Sequence, residues 1–131
     1  MDSADSQPSP VTVRIAVALT GLMAVGTALM SLAHSGVVIP VLSEIGPATG
    51  AVVAEAAAGF GAAAVLLAVA LVGLVRRLAW GWALATALHA LVVLAAAFPF
   101  RGLGSVIGIV LSAAALLTLM SRSARMALLP R

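Results

Sequence analysis

Four long apolar stretches, separated by short segments rich in proline, glycine or arginine, make up most of this chain. They cover residues 11–33, 51–75, 78–98 and 103–120. A helix needs roughly 20 residues, at a rise of about 1.5 Å each, to cross the hydrocarbon of a bilayer. The pattern therefore predicts an all-α integral membrane protein with one domain over residues 11–120, a bundle of four transmembrane helices.

The segments outside the four spans are predicted from their polar and helix-breaking residues. Residues 1–10 are polar, acidic and proline-bearing, which predicts a disordered tail, and residues 121–131 form a second short tail. The acidic leader argues against a cleaved signal peptide ending at "SLA", so the first span is expected to be retained. Between the first two spans, Pro40 and Pro47 break any long helix. The apolar run "VVIPVL" there predicts a segment in the membrane interface or folded over the bundle.

Composition supports a membrane location and excludes several kinds of site. Hydrophobic residues make up 63% of the chain and charged residues only 8%, against about 25% charged in soluble proteins. The chain has no cysteine, which excludes disulfides, thiolate metal sites and dithiol redox chemistry. All seven basic residues are arginines at segment ends, so the pI near 11.6 does not indicate nucleic-acid binding.

The distribution of arginine predicts the orientation of the bundle. With the amino terminus in the cytoplasm, only Arg101 lies outside, which satisfies the positive-inside rule. We therefore expect both termini to be cytoplasmic in a multi-pass protein of the plasma membrane. The arginines expected inside are Arg14, Arg76, Arg77, Arg122, Arg125 and Arg131.

A small set of ionisable residues lies within or near the outer half of the predicted spans. On the helical rise, Glu55 lies roughly 6 Å and His89 roughly 13 Å below the outer surface. Ionisable groups at membrane depth are candidates for functional sites. We therefore predict an outer polar cluster of Glu55, His89, His34, Glu44 and Arg101, which would hold a small ligand, a quinone headgroup or a proton.

Glu55 and His89 also have purely structural interpretations. Glu55 would cap the first turn of its helix, and His89 would be a neutral imidazole bonded to a backbone carbonyl. His34 and His89 differ in depth by about 13 Å, which disfavours ligation of one haem iron by both. No catalytic motif, metal site or cofactor is predicted, and a quinone or a lipid stays open as a ligand.

Small residues spaced four apart predict where the helices pack. One such series contains Glu55, a second contains His89, and a third lies in the last span; small residues at this spacing let helices approach closely. Glu55 and His89 are therefore expected to face the interior of the bundle or a subunit interface. The third series is expected to pack inside the bundle or against another chain. The series are Ala51, Glu55, Gly59, Ala63; Gly81, Ala85, His89; and Gly104, Gly108, Ser112.

Three segments, "RIAVALTGLMAVG", "AEAAAGFGAAAVLLA" and "RRLAWGWALATALHAL", follow one another in an order that resembles the DoxX-like four-helix membrane proteins. The matching positions are Arg14, Gly21, Glu55 and Arg77, and the resemblance covers about residues 11–98. It implies a small membrane subunit, associated in some members with quinone-linked oxidoreductases.

Three functions follow from these features, and the first is preferred. The chain would be a non-catalytic subunit that docks on a larger membrane complex through its small-residue faces. Alternatively, a homo-oligomer would form a small transporter or channel with Glu55 as its proton or cation site. The third function is an intramembrane enzyme or quinone-binding redox subunit that uses Glu55 and His89. The expected partners are the bilayer and other membrane subunits or further copies of the chain.

Overall fold

The computed structural model of the chain describes residues 10–43 and 52–129, which are helical apart from short turns. Among these described residues, four helices are long and apolar enough to cross a membrane, which confirms the predicted all-α class and agrees with the four predicted spans. The second span begins at Ala54, three residues later than the predicted start at residue 51. The helices are α1 (Val11–His34), α2 (Pro40–Ser43), α3 (Ala54–Val75), α4 (Ala79–Ala97), α5 (Leu103–Met120) and α6 (Arg122–Leu128).

The four long helices form a closed ring in which each packs against two neighbours. Helix α1 contacts α3 and α5, and α4 contacts the same two helices, so α1 and α4 lie diagonally opposite each other. Helices α3, α4 and α5 alternate in direction because the turns between them are short. The bonds from Ser31 to Ala57 and between Thr12 and Ser123 place the end of α1 beside the start of α3 and the start of α1 beside α6, so α1 is antiparallel to both of its neighbours. This arrangement gives the bundle two chemically different ends.

The two ends of the bundle differ in their charged residues, and the end that carries most of the arginines is called the arginine end. The arginine end combines the start of α1, the α3–α4 turn and the α5–α6 junction. The opposite end combines the end of α1, the start of α3 and the α4–α5 turn, where His34, Glu55 and Arg101 lie. The exposed residues that define the arginine end are Arg14, Arg76, Arg77, Arg122 and Arg125.

The α3 and α4 helices are in very close contact beside the turn that joins them. A Cβ atom added to Gly73 would lie 2.5 Å from the Cα of Gly81, so the two backbones touch. Arg77 adopts a left-handed φ of 55°, and the amide of Leu78 donates to the carbonyl of Gly73 at 2.9 Å. This is a common way to end a helix, although glycine more often occupies the left-handed position. Two glycines and one tight turn thus fix how α4 leaves α3.

The carboxyl-terminal segment packs on the bundle as a helix. Ala124 and Leu128 of α6 are buried and join the same apolar core as Val13 and Leu119. The hydroxyl groups of Thr12 and Ser123 are hydrogen-bonded at 2.9 Å, which ties α6 to α1. The part of the predicted tail that the structure describes is therefore a structured element of the arginine end.

Candidate functional site

The structure separates the residues of the predicted outer polar cluster. His34, Glu55 and Arg101 lie at the opposite end, as expected, but no hydrogen bond or ion pair joins their side chains within the described residues. Glu44 lies outside the described residues. His89 lies midway along α4 and is bonded to different partners. In the described residues, the cluster is not one connected site.

Glu55 lies on the exterior of the bundle. It is exposed in the first turn of α3, and its carboxylate has no hydrogen-bond or ion-pair partner among the described residues. The helix dipole favours a carboxylate there, but no side chain caps this helix by a hydrogen bond. The sequence predicted that Glu55 faces either the interior of its own bundle or a subunit interface. The first of these predictions is therefore wrong, and the second stays a prediction.

The neighbours of Glu55 form an exposed patch of small residues. A Cβ atom added to Gly59 would meet no atom within 4 Å, so none of the described residues covers that position. Ala63, at the end of the predicted series, is half-buried, and Ala51 lies outside the described residues. We call the exposed patch the α3 outer face and define it by Glu55, Ala58, Gly59 and Ala62.

His89 lies in the interior of the bundle and joins three helices. Its side chain is fully buried, with Nε2 hydrogen-bonded to Oγ1 of Thr20 at 3.1 Å and Nδ1 hydrogen-bonded to Oγ of Ser112 at 3.2 Å. A hydroxyl group donates or accepts, so either tautomer of a neutral imidazole is satisfied. The predicted carbonyl partner is wrong, since both partners are hydroxyl groups.

Thr20, His89 and Ser112 form a hydrogen-bonded triad, and Thr20 is the member that was not predicted from the sequence. Counted from the arginine end, Thr20 is nine residues into α1, His89 is ten into α4 and Ser112 is eight from the end of α5. At about 1.5 Å per residue, all three lie at a depth of roughly 12–15 Å. The equal depth of these three polar residues in three different spans is therefore the sequence signal that could have identified Thr20.

His34 is bonded within its own helix. It is buried at the end of α1, where its Nδ1 donates to the carbonyl of Met30 at 2.7 Å and its ring packs against Phe60 with centroids 5.1 Å apart. Nearby, the hydroxyl of Ser31 donates to the carbonyl of Ala57 at 2.7 Å, which binds α1 to α3. The ring of His34 thus contributes to the α1–α3 contact.

The predicted packing residues divide between interior and exterior. Gly108 lies against Val92 and Ala96 of α4, at 3.9 and 3.7 Å from a Cβ added to it. Gly81 and Ala85 are buried, and Gly104 is half-buried. Gly59 differs from all of these because it faces outward.

Comparison with protein-family models, with curated proteins and with solved structures finds no match for this chain. The DoxX-like resemblance therefore stays a prediction. Of its four positions, Arg14, Glu55 and Arg77 are exposed. Gly21 lies in α1 with the side chain of Leu71 at 3.7 Å from an added Cβ, which is ordinary packing between α1 and α3.

Proposed function

We propose that this chain is a small non-catalytic membrane subunit that docks on a larger membrane protein through the α3 outer face. The observation that carries the proposal is a contrast between interior and exterior. Every buried side-chain nitrogen and oxygen of the described residues has a hydrogen-bond partner, whereas the carboxylate of Glu55 has none and lies outside. Glu55 therefore leaves an unpaired carboxylate on the exposed α3 outer face, where a docked protein would supply its partner.

The α3 outer face has the shape and chemistry of a helix-docking surface. Small side chains let a second helix approach closely, and packing of this kind drives helix association in bilayers. A carboxylate near the membrane edge is costly without water or a polar partner, so an arginine, lysine or amide on the docked protein would stabilise it. A quinone-linked oxidoreductase is the class of complex to test first, as the family resemblance implies.

The first test is gentle purification of the tagged chain in mild detergent, followed by mass spectrometry of the proteins that come with it. We expect a stoichiometric partner for the wild type. Gly59→Leu should reduce the amount of partner that co-purifies by about tenfold or more, because the added side chain separates the two helices. A tenfold reduction in affinity corresponds to a loss of about 1.4 kcal/mol of binding free energy.

Gly26→Leu is the matched control for Gly59→Leu. Gly26 is also an exposed helical glycine, with no atom within 4 Å of an added Cβ, but it lies on α1. Gly26→Leu should therefore leave the amount of co-purified partner unchanged. Isolation of the wild-type chain only as a monodisperse homomer would contradict the docking proposal.

The homo-oligomeric transporter stays as a second candidate because Glu55 is unpaired and outside the bundle. In a homo-oligomer, an interface between copies would enclose its carboxylate. In that case Glu55→Gln should reduce proton or cation flux in proteoliposomes to the level of empty vesicles. Arg101→Gln, at the same end of the bundle, should leave the flux unchanged. Full transport by the Glu55→Gln variant would eliminate this candidate.

A further inference from the structure

Among the residues that the structure describes, the charged side chains at the arginine end are all positive. Its five exposed arginines come from α1, the α3–α4 turn and α6, which lie around one end of the same bundle. Within the described residues, Glu55 is the only carboxylate side chain, and it lies at the opposite end. Arg101 is the only arginine described there. No acidic side chain of the described residues therefore lies at the arginine end.

Exposed apolar side chains lie at the same level as these arginines. Val11, Val75, Trp80 and Met126 are 69%, 62%, 48% and 60% exposed, respectively. Tryptophan is enriched where hydrocarbon meets headgroups, and long arginine side chains reach from that level to the headgroups. A surface that combines both suits a lipid interface better than an aqueous polyanion.

Helix α6 holds part of this surface in a fixed orientation. Ala124 and Leu128 are buried against the bundle, whereas Arg122, Arg125 and Met126 are exposed. Residues three and four apart share a face of a helix, so these exposed residues point together away from the core. The α6 helix therefore presents two guanidinium groups beside an apolar side chain.

We propose that the arginine end binds anionic phospholipids, with Arg122 and Arg125 of α6 as the principal contacts to the phosphate group. A guanidinium group matches phosphate with two parallel hydrogen bonds, and basic residues beside a membrane attract anionic lipid. The apolar side chains beside them would contact the acyl chains of the same lipid. This inference does not depend on the docking proposal, which concerns α3.

The test is a lipid titration of the delipidated full chain in detergent, followed by native mass spectrometry. Phosphatidylglycerol, which is anionic, should bind more tightly than phosphatidylcholine, which carries phosphate but no net charge. R122Q/R125Q should weaken phosphatidylglycerol binding by on the order of tenfold. Arg101→Gln at the opposite end is the control and should not change it.

Two further arms separate the sources of the phosphate and cover a variant that fails to fold. Raising the salt from about 0.01 M to about 0.15 M shortens the screening length from about 30 Å to about 8 Å, so it should weaken phosphatidylglycerol binding to the wild type but not phosphatidylcholine binding. Displacement of the lipid by equimolar inorganic phosphate would overturn a lipid site in favour of a soluble anion. Equal binding of both lipids, or an equal loss with Arg101→Gln, would also overturn the proposal.

Discussion

Gly81→Ala is expected to destabilise the bundle by about 3 kcal/mol, a large effect for one methyl group. The added Cβ would meet the backbone of Gly73, including its Cα at 2.5 Å, and a backbone atom cannot move aside as a flexible side chain can. The α3 and α4 helices would have to separate beside their shared turn. The measurement is reversible unfolding of the purified chain in mixed detergent micelles.

Gly59→Ala is the control for this prediction. It adds the same methyl group to a helical glycine where no atom lies within 4 Å, so the free energy of unfolding should stay the same or rise slightly. Equal stability of the two variants would contradict the contact between α3 and α4. Gly73→Ala should resemble Gly81→Ala, since the two glycines face each other.

His89→Leu is expected to reduce the free energy of unfolding by about 2 kcal/mol. The substitution removes both hydrogen bonds of the triad and leaves the buried hydroxyls of Thr20 and Ser112 without partners. The same unfolding assay measures the effect. Hydrogen bonds between membrane helices average only about 0.6 kcal/mol each, so the two lost bonds account for about 1.2 kcal/mol of the expected loss and the two unpaired hydroxyls for the rest.

A double-mutant cycle separates the hydrogen bonds from packing. In a Thr20→Val background, His89→Leu should destabilise the bundle less than it does in the wild type, because one hydroxyl is already absent. His34→Leu is the control, since His34 donates only to a carbonyl of its own helix near the end of a span. Equal losses from His89→Leu in both backgrounds would show that the Thr20 bond contributes nothing.

The sequence predicted the helices well because the bilayer permits few alternatives. A spanning segment must satisfy its backbone internally and must be about 20 apolar residues long, so the number of spans follows from the hydrophobic pattern. Arg76 and Arg77 also marked the end of α3 closely. The short α6 helix was not predicted, because Ala124 and Leu128 became a packing surface only once the bundle formed beneath them.

The candidate site was predicted less well, and Gly59 and Gly81 show why. Both belong to series of small residues spaced four apart with one ionisable residue, yet Gly81 is buried against α3 and Gly59 is exposed. Spacing determines which residues share a face, but the direction of that face depends on how the helices are arranged around it. Likewise, His89 of α4 bonds to Thr20 of α1 across the diagonal of the ring, and only the assembled ring shows which helices lie diagonally opposite each other.

The most direct test of the docking proposal is site-specific crosslinking in native membranes. The chain has no cysteine, so one introduced thiol labels one position. A photoactivatable crosslinker on Gly59→Cys would probe the α3 outer face, and Val110→Cys, on the exposed side of α5, would be the control. We predict a covalent adduct with a different membrane protein from position 59 and not from position 110. Adducts with a second copy of this chain, or no adduct at position 59 beyond the control, would contradict the proposal.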